Sequence, residues 1–555
     1  MDNVRLLLFM ALAFIGMLLY QAWQQDYGPA AQAPAAPATA NQAAPAPSVP
    51  GELPEAPQQA DIDQAMPSVP GAAAVSPGVT QGLISVRTDT LDLKIDPRGG
   101  TIVDARLVQY PIAVDKPEQK YRLLSQRPSD YFIAQSGLLG ADTSRTPTHE
   151  AMFTASATAF EMQPDEDRLI VDLHWRSEDG VIVTKRYTFE RGTHAVTLEH
   201  LINNTSDTAW TGREYRQLQR GEQEDSGNVF MYTYTGGAIY SQQDKYQKYD
   251  FEDLGAGKLD RDVTDGWIAM IQHYFLGAIV PPRGQQQHYY GKRLANGRAV
   301  IGSYTPAQSV QPGETASFTG TLFIGPKLQA ELEELAEGLD LTVDYGWLVF
   351  LAKPMYWVLE QIQGVVHNWG WTIIIFTILI KLAFFKLSET SYRSMANMRK
   401  LTPRIQALKD RYGDDKQRMQ QAMMELYKTE KINPLGGCLP MLVQIPFFIA
   451  LYWVLLESVE LRQAPWILWI DDLSIKDPYF VLPLIMGASM FIQMKLNPPP
   501  PDPMQAKILM FLPVVFTVMF AFFPAGLVLY WVVNNILSIA QQWVITKRIE
   551  EGAKA

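Results

Sequence analysis

Residues 369–387 read WGWTIIIFTILIKLAFFKL, an apolar run of nineteen residues in which only Lys381 and Lys386 are charged. A run of this length and composition predicts a transmembrane helix. Lys386 marks the helix end, whereas Lys381 lies deep within the run, where a lysine costs about 2.5 to 3.5 kcal/mol on insertion scales. The Lys381 side chain is therefore expected to face protein, a partner charge or water.

The later apolar segments offer Lys381 no acidic partner. No Asp or Glu occurs in any of these segments, which are residues 435–456, 479–494, 508–523 and 525–545. An unpaired ammonium among them predicts a water-filled groove open to one side of the membrane. The alternative is that Lys381 snorkels toward the cytosolic interface, because Leu387 lies only about 9 Å further along the helix.

Polar side chains elsewhere support the groove. Thr377 lies four residues before Lys381 and on the same helical face. The last apolar segment carries hydrogen-bonding side chains at intervals of four, four and three residues, namely Tyr530, Asn534, Ser538 and Gln541. One helical face therefore offers polar groups at membrane depth. Ordinary hydrogen bonding between helices is the alternative explanation of this stripe.

Composition divides the chain sharply. Of its 555 residues 47% are hydrophobic, and Cys438 is the only cysteine, so no intrachain disulfide can form. The net charge is −11, and residues 21–343 hold 41 acidic against 26 basic side chains. This balance argues against nucleic-acid binding by that region.

The N-terminal half predicts an anchored, exported β-domain. Residues 1–22 are expected to form an uncleaved transmembrane anchor, with a cleaved signal peptide as the alternative. The Ala-, Pro- and Gln-rich residues 23–82 are expected to be a disordered linker. Residues 83–326 alternate apolar and polar side chains, which predicts an all-β sandwich. Residues 327–366 are expected to form connecting helices, including an interfacial amphipathic helix that Pro354 breaks.

An enzymatic role for the β-domain is not expected. Its six histidines show no metal-ligand spacing, and its carboxylates form no recognisable acid/base motif. The histidines are His149, His174, His194, His200, His273 and His288. A structural or docking domain is predicted, without a metal or cofactor.

The charges of the loops predict the orientation. Residues 388–432 hold ten basic and six acidic side chains, whereas residues 460–477 hold two and four. The positive-inside rule therefore places the first loop in the cytosol and the second outside. The prediction is an all-α core, residues 367–548, with five spans at 369–387, 435–456, 479–494, 508–523 and 525–545. With the anchor the count is six spans, both termini are cytosolic, and residues 549–555 form a short tail.

The cytosolic residues 388–432 predict an antiparallel helical hairpin. Apolar side chains recur every three or four residues on both sides of a turn at residues 413–415, and Pro403 should bend or interrupt the first helix. Basic residues cover its outer faces: Arg399, Lys400, Arg404, Lys409, Arg411, Lys416 and Arg418. They predict contact with a polar partner such as the ribosome, with lipid head groups as the alternative.

Several motifs in order resemble the YidC/Oxa/Alb insertase family over residues 340–548. They are DDKQR at 414–418, NPLGGC at 433–438, VELRQAP at 459–465, DPMQ at 502–505 and PAGLVLY at 524–530. The anchor, linker and β-domain resemble the Gram-negative form, whose periplasmic domain is a β-supersandwich. The resemblance implies a bacterial inner-membrane protein that inserts and folds nascent membrane proteins, alone or with the Sec translocon (SecYEG and SecDF).

The resemblance also implies roles for particular residues. Lys381 occupies the position of the groove's basic residue, which is usually arginine in the family, and Thr377 occupies that of its threonine. Tyr530 and Trp531 match an aromatic pair whose second member is commonly tyrosine, and Asn534 and Ser538 extend this lining. The hairpin and Asp502 resemble ribosome-facing parts. Two alternatives remain: a small-solute transporter that uses Lys381, and an intramembrane protease with a serine paired to Lys381.

Overall fold

The computed structural model describes residues 82–222, 233–413, 415–430, 439–497 and 503–552. The predicted anchor at residues 1–22 and nearly all of the predicted linker lie outside these residues. Residues 394–435 belong to a compact unit separate from the one that holds the β-domain and the remaining helices.

Twenty strands lie in the described residues of the β-domain, and they match the predicted alternation of apolar and polar side chains. Their bounds are β1 Ile84–Arg87, β2 Leu91–Asp96, β3 Thr101–Pro111, β4 Lys120–Leu124, β5 Phe132–Leu139, β6 Thr154–Ala155, β7 Ala159–Glu161, β8 Arg168–Arg176, β9 Val181–Glu190, β10 Ala195–Asn204, β11 Trp210–Arg220, β12 Gly236–Ser241, β13 Lys245–Tyr249, β14 Asp260–Thr264, β15 Trp267–Ile271, β16 Phe275–Val280, β17 Gln286–Arg293, β18 Ala299–Tyr304, β19 Gln308–Val310 and β20 Thr315–Pro326.

The strands build two sheets, which confirms the predicted all-β sandwich. One sheet has eleven strands in the order β14-β17-β18-β11-β5-β3-β2-β1-β7, with β4 and β19 pairing beside this path. The other has nine strands in the order β13-β12-β15-β16-β20-β10-β9-β8-β6. The pairs are antiparallel apart from β1 with β7. Inward-facing Val86, Leu93, Ile95 and Val171 are fully buried, as expected where alternate residues face a core.

The described part of the chain also contains ten α-helices. They are α1 Phe251–Gly255, α2 Gln329–Leu335, α3 Val349–Val366, α4 Trp369–Ala383, α5 Phe385–Tyr412, α6 Lys416–Thr429, α7 Leu439–Glu457, α8 Val481–Leu496, α9 Pro503–Phe520 and α10 Ala525–Gly552.

One expectation about proline was wrong: helix α3 continues through Pro354, which was expected to break it. Helix α5 runs through Pro403 without interruption, and the bend expected there stays a prediction. In α3, the buried side chains Ala352, Met355 and Tyr356 surround the proline and pack against the core. This packing holds the helix together although Pro354 cannot donate a backbone hydrogen bond.

The apolar run at residues 369–387 is not one straight helix. Helix α4 ends at Ala383, and the chain bends by 64° into the segment Phe385–Ser394. The bend falls where the apolar run gives way to Lys386 and Glu389. Helix α4 alone is about 22 Å long, which is shorter than the hydrocarbon core of a bilayer.

Only some of the described helices are long enough to match the predicted membrane spans. By length and composition, Ala525–Arg548 is the one described helix suited to crossing a membrane, and the bent pair is a second if it forms one span. The other apolar helices are shorter: Val443–Glu457, Val481–Leu496 and Leu509–Phe520. The count of six spans stays a prediction.

Helices α5 and α6 lie on either side of residues 413–415, where the sequence predicts the turn of a hairpin. Asp415 caps α6 by accepting a hydrogen bond from the Arg418 amide at 3.0 Å. Arg404 on α5 pairs with Glu430 beyond α6 at 2.5 Å, although the two are 26 residues apart, so the helices run antiparallel. Two apolar side chains of α5, Ile405 and Tyr412, are less exposed than the residues on either side of them.

Buried contacts join the β-domain to the C-terminal end of α7. The Lys327 ammonium lies 3.5 Å from the Glu457 carboxylate, and the two side chains are 2% and 3% exposed. His273 Nε2 donates to the Leu456 carbonyl at 2.9 Å. Burial lowers the pKa of Lys327, although the nearby Glu457 carboxylate opposes this shift. This junction fixes the β-domain on the helices.

Replacing Lys327 with Met should lower the free energy of unfolding by about 3 to 5 kcal/mol, because Glu457 would keep a buried charge without its partner. The measurement is thermal unfolding of the full chain in detergent, followed by tryptophan fluorescence. The double variant Lys327→Met/Glu457→Leu is the matched control and should recover most of the loss. A single variant that melts with the parent chain would show that the pair does not stabilise the junction.

Candidate functional site

Lys381 points toward a neighbouring helix. Its Nζ atom donates to Ser538 Oγ on α10 at 2.8 Å, and the side chain is only partly exposed. Among the described residues no carboxylate lies within 4 Å of this ammonium. The amine is thus held between α4 and α10 instead of extending along α4 toward Lys386. This geometry favours the inward-facing interpretation over snorkelling.

Ser538 joins two helices at this point. Its hydroxyl donates to the Asn534 carbonyl at 2.7 Å while accepting from Lys381. Because the Ser538 proton is directed to its own helix and not to a base, the pair lacks the arrangement of an activated nucleophile. Ser489, a buried serine on α8, donates to the Met486 carbonyl at 2.6 Å.

The polar stripe of α10 continues onto a residue that the sequence did not single out. Gln444 on α7 donates to Asn534 Oδ1 at 2.8 Å. Gln444, Asn534, Ser538 and Lys381 thus form a polar strip that crosses three helices. Gln444 is the only strongly polar side chain within α7 before Glu457. A lone polar residue in an apolar segment indicates a polar partner, so the sequence contained evidence for this contact.

The aromatic pair and Thr377 are packed. Tyr530 is buried and stacks on Phe448 with ring centroids 6.1 Å apart. Trp531 lies 4.5 Å from the same Phe448 ring, and its Nε1 has no hydrogen-bond partner among the described residues. Thr377 is fully buried and donates to the Ile373 carbonyl at 2.6 Å. These three residues border the polar strip without hydrogen-bonding to Lys381.

Large apolar side chains are exposed on the surrounding helices. They occur on α4, α8, α9 and α10, for example Leu382, Leu484, Phe511, Val518 and Ile536. Exposed apolar faces this extensive mark a surface for contact with lipid or protein. They surround a polar strip whose one cation lacks a carboxylate partner in the described chain.

The basic residues of the hairpin are only partly described. Arg404 pairs with Glu430, Arg418 pairs with Asp415 at 3.3 Å, and Arg411 lies over the Tyr412 ring at 5.4 Å. The side chains of Arg399, Lys400, Lys409 and Lys416, and the whole of Asp502, lie outside the described residues. In the described chain no cluster of His, Cys, Asp and Glu could hold a metal ion.

Two family models match the chain in succession. The YidC periplasmic domain matches residues 83–358, and the 60Kd inner membrane protein family matches residues 361–552. The first match ends within α3 and covers the sandwich, and the second covers α4 to α10. Together they include both parts of the junction and the whole polar strip.

Curated relatives match over their full length. The membrane protein insertase YidC of Thioalkalivibrio sulfidiphilus is 52% identical, over 100% of this chain and 100% of the relative. That of Methylococcus capsulatus is also 52% identical, over 100% of this chain and 99% of the relative. That of Nitrosococcus oceani is 50% identical, over 99% and 100%. This chain belongs to the YidC family of membrane protein insertases.

Proposed function

We propose that this protein inserts other membrane proteins into the bilayer along the polar strip that contains Lys381. Membership of the YidC family and the curated relatives support this function. The observation that carries the mechanism is the Lys381 ammonium, which lies among apolar helices with Ser538 as its hydrogen-bond partner and no carboxylate in the described chain. A protonated amine there offers a vacant place for an anionic group.

The strip lowers the barrier for moving a client's short polar segment across the membrane. A segment that enters the bilayer loses water, and the hydroxyl and amide groups of Ser538, Asn534 and Gln444 replace part of that hydration. An acidic side chain of the client pairs with Lys381. Hydroxyl groups and water around the pair weaken its electrostatic attraction, so that the two charges can separate again. Lysine acts here as a point charge without the planar fork of arginine.

The client's apolar helix then leaves along the exposed apolar faces of the bundle. Burial of apolar surface in lipid supplies about 25 cal/mol per Å², so hydrophobic transfer drives the step. Leu382 on α4 and Phe511 on α9 belong to these faces. The step needs no nucleotide, and the sequence has no phosphate-binding Gly-rich loop.

The topology we propose places the β-domain in the periplasm and both termini in the cytosol of a bacterium. Helix α3 lies at the outer membrane interface, where Trp347 just before it and Phe350 and Trp357 on it expose apolar surface. The hairpin faces the cytosol and contacts the ribosome through its basic residues. Nascent membrane proteins are the clients, and the Sec translocon (SecYEG and SecDF) is a partner.

Replacing Lys381 with Ala should reduce insertion of a client whose exported segment carries acidic residues by about tenfold, which corresponds to roughly 1.4 kcal/mol of lost pairing. Insertion of a client with an uncharged exported segment should change less than twofold. The measurement is protease protection of both clients in proteoliposomes that contain the purified full chain.

Two variants control this experiment. Lys381→Arg keeps the charge and should retain most insertion of the acidic client, whereas Lys381→Met keeps the apolar stem alone and should behave as Lys381→Ala does. If Lys381→Ala inserts both clients as the parent does, the charge has no part in the mechanism.

Reversing the charge of Arg411 and Arg418 to Glu should weaken co-sedimentation of the full chain with ribosomes severalfold at low salt, because both side chains are exposed on the hairpin. Lys245→Glu, at an exposed site in the β-domain, is the matched control and should leave co-sedimentation unchanged. Equal binding by both proteins would exclude this face of the hairpin as the ribosome contact.

A further inference from the structure

A polar cavity of about 210 Å³ lies where the β-domain meets the outer end of α7. Its lining includes two arginines, Arg220 on β11 and Arg462 in the loop after α7, with the aromatic side chains Tyr121, Tyr274 and Phe275. None of its described lining residues is acidic. A concave site with positive charges, aromatic walls and no carboxylate has the chemistry of an anion site.

Arg462 is held in place with donors to spare. Its Nη2 atom donates to the carbonyls of Pro111 and Ile112 at 2.7 and 3.3 Å, and its guanidinium lies 5.5 Å from the Tyr121 ring centroid. Within the described chain, its Nε and Nη1 atoms donate to no acceptor, and no carboxylate lies within 4 Å of the group. Three N–H donors therefore remain for a ligand.

Charge compensation for Arg462 is incomplete. Burial lowers the pKa of its guanidinium, and the Asp472 carboxylate offsets only part of that effect. Asp472 is engaged elsewhere, since its Oδ1 accepts from the amide and the hydroxyl of Ser474 at 2.8 and 2.6 Å. An anion in the cavity would complete the pairing of a partly buried cation.

The surroundings of the cavity point to the membrane surface. His273, which also lines the cavity, hydrogen-bonds to the Leu456 carbonyl in the last turn of α7, so the cavity lies level with the end of an apolar helix. The turn after β3, which Arg462 contacts, exposes Ile112 and Val114. Exposed apolar side chains beside an arginine suit the boundary between acyl chains and head groups.

We propose that this cavity binds the phosphate group of a phospholipid from the outer leaflet, with Arg462 as the principal donor. The inference rests on the proposed placement of α7 across the membrane. A bound head group would tie the β-domain to the lipid surface at the same junction where Lys327 and Glu457 tie it to the helices.

The test counts phospholipids retained by the purified full chain in detergent, using native mass spectrometry. Titration with phosphatidylglycerol should load one molecule onto the parent chain at a concentration at least tenfold below that needed for Arg462→Gln. Arg168→Gln, at an exposed site on the edge of the β-domain, is the matched control and should load as the parent does. Equal loading by the parent and Arg462→Gln would overturn the proposal.

Two further arms use the parent chain alone, so that a folding defect in the variant cannot decide the result. Diacylglycerol, which lacks phosphate, should not occupy the site, and its equal retention would overturn the proposal. Inorganic phosphate should compete only at concentrations far above those of the lipid. If phosphate binds and phosphatidylglycerol does not, the lipid source is refuted.

The two proposals fail separately. If Lys381→Ala inserts both clients as the parent does, the proposed function is refuted, and the number of lipids bound by the chain is unchanged.

Discussion

The Lys381 ammonium, which lies among apolar helices, is the constraint on which the helical part of this protein depends. An amine in such surroundings must find hydrogen-bond acceptors, because the cost of leaving it unsatisfied is several kcal/mol. Ser538 supplies the acceptor at 2.8 Å, and its own proton goes to the Asn534 carbonyl. A carboxylate would have satisfied the charge more fully, and it would also have occupied the place that we propose for an anionic group of a client.

At the junction between the β-domain and α7, in contrast, the buried ammonium has a carboxylate partner. There Lys327 and Glu457 form an ion pair that is almost fully buried, and His273 covers a carbonyl at the helix end. Such a pair favours one arrangement of the two parts because any displacement would separate charges that water cannot reach. The contrast follows function as we propose it: a fixed attachment at the outer surface, and an unsatisfied charge where clients pass.

Much of the architecture was predictable because it depends on local pattern. Period-two alternation predicted the sandwich at residues 83–326, and β1 to β20 run from Ile84 to Pro326. The spacing of apolar side chains around the turn at residues 413–415 predicted a hairpin, and the pairing of Arg404 with Glu430 across that turn is a contact expected of one. Proline was misjudged in α3, since packing outweighed the low helix propensity of Pro354.

The sequence by itself determined which groups must be explained: a lysine within an apolar run, a polar stripe at helical spacing, and apolar segments without a single carboxylate. Tertiary structure alone decided the partners, because Lys381 and Ser538 are 157 residues apart and Lys327 and Glu457 are 130 apart. Contacts over such distances depend on how helices and sheets pack, and no local pattern encodes them. The same holds for Gln444, which hydrogen-bonds to Asn534 on another helix. It also holds for Arg462, which hydrogen-bonds to Pro111 in the β-domain.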